Sequence, residues 1–131
     1  MIKRFFIPAL ILFAVSCKKD DPGKGGGLVQ GDAIVTAQVM HHFRALPNIK
    51  VYIKKGATSF PGRDSTLYDS YQVSDPGGFV RFDKLANGAY YFYAEGFDEG
   101  VWMEVWGYVP FNIDNRPGEV KEYDVTIPVS E

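Results

Sequence analysis

Ser74-Asp-Pro-Gly-Gly-Phe-Val-Arg-Phe-Asp-Lys-Leu-Ala-Asn-Gly-Ala-Tyr90 reads as a turn, a short strand, a second turn and the opening of another strand. In Asp75-Pro-Gly-Gly78, proline presets φ and glycine accepts a positive φ, which is the chemistry of a tight reversal. Phe79-Val-Arg-Phe82 gives a short strand, and Asn87-Gly88 turns the chain again. Nothing in the run carries a helical period.

The same pattern continues on both sides. Ala33, Val35, Ala37 and Val39 share one face of an earlier strand. Ile49, Val51 and Ile53 share a face of the next, with Lys50, Tyr52 and Lys54 opposite. Leu67 to Val73 is a weaker strand candidate. Ala89 to Glu95, Val101 to Val109 and Glu119 to Val129 bring the total to about seven. Short strands broken by turn residues every ten or so positions predict an all-β fold, an antiparallel β-sandwich of about seven strands.

Gly78, Phe82, Leu85, Gly88 and Tyr90 match the run T-D-x-x-G-x-x-x-F-x-x-L-x-x-G-x-Y, so the segment resembles transthyretin-like domains. These include carboxypeptidase regulatory-like domains and the Cna B-type repeats of surface adhesins. Leu46-Pro-Asn-Ile-Lys-Val-Tyr-Ile53 is similar to their earlier x-P-x-A-x-V-x-V strand, with Ile49 in place of a small residue. The resemblance covers roughly residues 31 to 129. It implies that Phe82, Leu85, Tyr90, Phe92 and Ala94 point into the core and that Gly88 makes a turn. Many adhesin repeats carry a Lys–Asn isopeptide bond. Here the first strand, Asp32 to Met40, has no lysine and the last, Glu119 to Val129, has no asparagine. Glu95 also falls one residue beyond the acid position, so no such bond is expected.

The enzymes of related fold set further tests. Hydroxyisourate hydrolases end in Tyr-Arg-Gly-Ser, whereas this chain reads Ile127-Pro-Val-Ser-Glu131. Intradiol dioxygenases bind iron through two tyrosines and two histidines. His41 and His42 are adjacent and on a strand would point to opposite faces, which predicts a solvated pair and no metal. Ser59, Ser65, Ser70, Ser74 and Ser130 lack a Gly-x-Ser-x-Gly context, so no catalytic residues are assigned. Asp98, Glu99 and Glu104 read as a solvated acidic turn. Asp114-Asn115 with Glu119 lacks the dense pattern of a calcium loop. No cofactor is expected.

Val101-Trp-Met-Glu-Val-Trp-Gly-Tyr-Val109 stands out. Val101, Met103, Val105 and Val109 alternate with Trp102, Glu104, Trp106 and Tyr108. If the aliphatic set is core, the rings project outward, joined by Tyr91 and Tyr93 from the preceding strand. Trp102, Trp106, Tyr108, Tyr91 and Tyr93 are then the candidate binding residues, suited to a sugar or a partner protein. The alternative places the tryptophans inward or under a loop. The leading reading is a non-catalytic binding or assembly module, with glycan recognition as the alternative and a hydrolase third. An exposed aromatic patch without clustered acids favours the first two, whereas a pocket gathering histidine and carboxylates favours the third.

The N-terminal stretch is of a different kind. Lys3 and Arg4 precede the apolar run Phe5 to Val15, and Ser16-Cys17 closes it, the order of a secretory signal. The run is shorter than the ~20 residues a membrane-spanning helix needs. Ala14-Val15-Ser16-Cys17 resembles the lipobox of bacterial lipoproteins, which implies acylation of Cys17, with Ala14 where the family prefers leucine. Residues 1–16 are thus read as a lipoprotein signal peptide, 17–30 as the lipidated cysteine and a flexible tether, and 31–131 as the sandwich domain. Lys18-Lys-Asp-Asp-Pro-Gly-Lys-Gly-Gly-Gly27 cannot bury apolar surface, and it resembles the tag that exports some lipoproteins to the cell surface. The expected location is the outer membrane, lipid-anchored and surface-exposed, with the periplasmic face as the alternative.

Composition bounds the rest. Of 14 basic side chains two, Lys3 and Arg4, leave with the leader, so 12 face 16 acidic ones. No basic run survives, which removes the electrostatic basis for nucleic-acid binding. The lone cysteine excludes an internal disulfide. Aromatic residues make up 15% of the chain, and at ~150–250 Å² each they can close a small core unaided.

Overall fold

The computed structural model describes residues 30–131. The signal peptide, Cys17 and nearly all of the tether lie outside the described residues. Eight strands follow in order: β1 (Gln30–His41), β2 (Arg44–Ala45), β3 (Lys50–Lys55), β4 (Ser70–Val73), β5 (Phe79–Leu85), β6 (Gly88–Asp98), β7 (Met103–Ile113) and β8 (Lys121–Pro128). A single 3₁₀ turn at Ser65–Leu67 is the only helical element among the described residues. It takes up the start of the segment expected as a strand from Leu67.

The strands form a two-sheet sandwich. In the first sheet β1 is central, antiparallel to β5 and to the two-residue β2, and parallel to β8. The second sheet runs β4-β3-β6-β7, antiparallel throughout. The extra strand beyond the expected seven is β2, too short to show a period. The parallel β1–β8 pairing is likewise invisible to alternation, which assigns faces and not neighbours.

Period-2 patterning places the core. Ala33, Val35, Ala37 and Val39 of β1 are wholly buried, as are Ile49, Val51 and Ile53 around β3 and Phe92 and Ala94 of β6. Phe82 of the first sheet meets Phe92 of the second with ring centroids 5.7 Å apart. Each large side chain so buried contributes roughly 1.5–3 kcal/mol. Tyr90 is also inside, and its hydroxyl donates to the Ala86 carbonyl, so no polar tip is left unpaired.

The Asp75–Gly78 turn closes as its sequence requires. Asp75 Oδ1 accepts from the Gly77 and Phe79 amides, and Gly78 adopts φ 81°. A Cβ on Gly78 would meet Ala45 Cβ at 3.0 Å and Leu46 N at 3.1 Å, so glycine is needed for space as well as for φ. At the opposite edge Trp106 and Ser130 exchange both backbone hydrogen bonds at 3.0 Å. That bridge ties β7 of the second sheet to the segment that follows β8.

Candidate functional site

β6 and β7 pair so that Tyr93 lies opposite Tyr108, Glu95 opposite Trp106 and Tyr91 opposite Pro110. Tyr90, Phe92 and Ala94 take the inner face, which leaves Tyr91, Tyr93 and Glu95 on the outer one. That outer face is not bare. The β3–β4 connection, residues 56–69, folds back across it and lays Phe60 parallel on Tyr108, centroids 3.8 Å apart and planes 7° apart. Phe60 also lies 6.2 Å from Trp106 and 5.8 Å from Tyr93.

Polar contacts fix the loop at both ends. Asp69 accepts from the Lys55 amide and pairs with Lys54 at 3.4 Å. Tyr68 donates to the Gly62 carbonyl, and Asp64 caps the 3₁₀ turn through Thr66. Arg63 sets its guanidinium 4.6 Å above the Trp106 ring and donates to the Tyr93 oxygen.

The candidate residues therefore separate. Tyr108 stays 43% exposed, and Trp106 and Tyr91 are half-buried at the margin of the loop. Tyr93 is wholly buried beneath Phe60, Tyr52 and Tyr68, so it supports the rings above it and offers no face of its own. Burial, reinforced by its bond to Glu95 and opposed by Arg63, pushes the Tyr93 hydroxyl up to about 12. Trp102 is not on the strand. It closes the β6–β7 turn with φ 59°, is 75% exposed, and packs edge-on against Phe97 at 5.1 Å. Strand alternation therefore begins at Met103. Val101 and Met103, expected among the core-facing set, are exposed, whereas Val105 is buried.

A groove of about 410 Å³ opens on this outer face, lined among others by Lys50, Tyr52, Arg63, Glu95, Phe97 and Glu104. Flat rings flanked by two carboxylates and two cations can stack on a ring of matching size while bonding its rim. Phe60 and Arg63 were not singled out from sequence. Their signal was a long connection carrying aromatic residues, a type that usually packs or functions.

A second cluster corrects the reading of the histidines. His41 is buried, and its Nδ1 lies 2.7 Å from Asp98 and its Nε2 2.9 Å from Glu131. It follows Ala33, Val35, Ala37 and Val39 at the next inward position of β1, so the strand carries it into the interior rather than to solvent. His42 does not continue to the opposite face. With Phe43 it forms the two-residue β1–β2 turn, φ 46° and 66°, and its ring lies 4.2 Å from that of His41. Asp98, expected in a solvated turn, is buried and bonded by Arg44 and the Gly100 amide. Its bond to Asp98 holds His41 above its ordinary value, against burial and with help from Glu131. Burial works to raise Asp98, but the bonds from His41, Gly100 and Arg44 outweigh it and hold the carboxyl low. His41 meets carboxylates rather than a hydroxyl or thiol, so the cluster activates no nucleophile among the described residues. Asn115 is likewise committed: it exchanges bonds with Asn87 and accepts from Tyr123.

No family model matches the chain, and no curated protein matches it. Among solved structures, the major pilin subunit of Bacillus cereus is similar at 11% identity and a TM-score of 0.50, over 76% of this chain and 30% of the pilin. A variant of that subunit aligns at 11% identity and 0.49, over 77% and 30%. A "putative carbohydrate binding protein" from Pseudomonas aeruginosa aligns at 14% identity and 0.45, over 74% of this chain and 89% of its own. This chain spans about 30% of the pilin's length, and what the two share is the fold, a β-sandwich.

Proposed function

We propose that this chain is a non-catalytic cell-surface module, anchored at the outer membrane by lipid on Cys17, that binds carbohydrate through the outer face of the β4-β3-β6-β7 sheet. The observation that carries this reading is the parallel stack of Phe60 on Tyr108 beside Trp106, next to a groove rimmed by Glu95, Glu104, Lys50 and Arg63. Aromatic faces cover the apolar face of a sugar ring, and the charged rim can bond its hydroxyls. A protein partner is the second reading, favoured by Tyr71 and Val73, both about half exposed on β4, which among the described strands pairs only with β3.

The test uses intrinsic fluorescence. The chain has two tryptophans, so Trp102→Phe leaves Trp106 as the sole reporter inside the site. Titrating that variant with neutral and acidic oligosaccharides should give a saturable change in emission for one class. A flat response to all of them, with a folded protein that captures a protein partner instead, would favour the second reading.

A further inference from the structure

The His41 cluster lies apart from the aromatic groove, and none of its members lines it. Its geometry gathers three metal-ligating atoms at one point. Asp98 takes the hydrogen on His41 Nδ1, at 2.7 Å. The other ring nitrogen, Nε2, faces Glu131 Oε2 at 2.9 Å. His42 brings a third donor atom to the same point, with Nε2 3.7 Å from Glu131 Oε2. The three ligand atoms all lie within 4.8 Å of one another.

We propose that His41 Nε2, His42 Nε2 and a Glu131 carboxylate oxygen form a zinc site, with Asp98 orienting His41 from behind. Ligands about 2.0–2.1 Å from a tetrahedral zinc stand about 3.3–3.4 Å apart, and the two separations from Glu131, 2.9 Å to His41 and 3.7 Å to His42, bracket that spacing. Two imidazoles and one carboxylate suit zinc and leave a fourth position for water or an outside ligand. Calcium and magnesium, which take oxygen ligands, are disfavoured. A metal-bound histidine commonly gives its other ring N–H to a carboxylate, and Asp98 is that partner, itself held by Arg44 and the Gly100 amide.

The backbone supplies an independent observation. His42 and Phe43 both sit at positive φ in a two-residue turn that glycine and asparagine normally occupy. Left-handed backbone is disfavoured for residues other than glycine and gathers at functional sites. Here it takes His42 off the strand and sets its ring on the same side as that of His41.

The experiment is a calorimetric titration of the untagged full chain with Zn²⁺. It carries Cys17→Ser so that the thiol cannot compete, and calcium and magnesium are present in excess. One Zn²⁺ should bind per chain. His42→Ala and Glu131→Gln should each weaken binding by roughly tenfold or more. Both side chains are well exposed, so the variants should remain folded, which circular dichroism checks. Co²⁺ in place of Zn²⁺ should give the intense visible bands of a tetrahedral N/O site, and His42→Ala should abolish them. Absence of saturable Zn²⁺ binding would overturn the proposal and leave His41 as an imidazolium clamped between two carboxylates. Binding that both variants leave unchanged would overturn it equally.

Discussion

Tyr93 places a phenol where water cannot reach it, and that makes the covered face measurable. A tyrosine whose folded pKa lies above its unfolded value adds stability that is complete below pH 10 and is lost as the pH rises through about 12. Burial raises Tyr68 and Tyr90 as well. In an ultraviolet titration these three should ionise only above the ordinary tyrosine range, with loss of fold accompanying their ionisation. Ionisation of Tyr68, Tyr90 and Tyr93 within the ordinary range, with the fold intact, would contradict the packing described. Substitution separates the candidate residues in the same way. Trp102→Ala should change stability by less than ~1 kcal/mol, since the ring is three-quarters exposed. Tyr93→Ala should cost ~3–5 kcal/mol, as for other buried aromatics. Thermal denaturation of the two variants compares them directly.

Strands were legible wherever alternation ran without interruption, as in β1, β3 and β6, because one face of each meets the core. What alternation could not show was where a strand stops. The left-handed φ of Trp102 delays β7 to Met103, and that of His42 ends β1 and brings two histidines together. Nor could it show that a connection would return over a sheet's outer face, since Phe60 belongs to no periodic segment and Tyr68 lies in the stretch expected as a strand from Leu67, ahead of β4. Long-range contacts of this kind carry no local signal. Gly107 is another such case. A Cβ there would lie 2.0 Å from the Pro128 carbonyl oxygen, beside the Trp106–Ser130 bridge. Gly107→Ala should therefore push the segment after β8 from the edge of β7. The expected loss is ~1–3 kcal/mol, with faster hydrogen exchange at the Trp106 and Ser130 amides. Unchanged exchange at both amides would show that the bridge adapts at no cost.

On the scale of the whole molecule, a single sandwich divides its surface between an aromatic groove on one sheet and a histidine–carboxylate cluster at the β1–β2 turn. The proposed anchor bears on how that surface is displayed. A tether of about 13 residues spans only roughly 20 Å on average, which would hold the domain close to the bilayer. Cys17→Ala should release the chain from the membrane fraction or leave it unprocessed, and detergent partitioning reads the difference. One acyl chain alone binds a membrane only marginally, so the mass of the processed N-terminus should show at least two. The proposed recognition face is tested most directly on a glycan array, probed with the full chain beside Tyr108→Ala. Tyr108 is 43% exposed, so the variant should keep its fold. The account predicts that the unaltered chain binds a defined set of glycans and that Tyr108→Ala weakens every one of them by roughly tenfold or more, in line with the loss of an anchoring ring. Binding that the folded Tyr108→Ala variant fully retains, or no glycan bound by the unaltered chain, would contradict it.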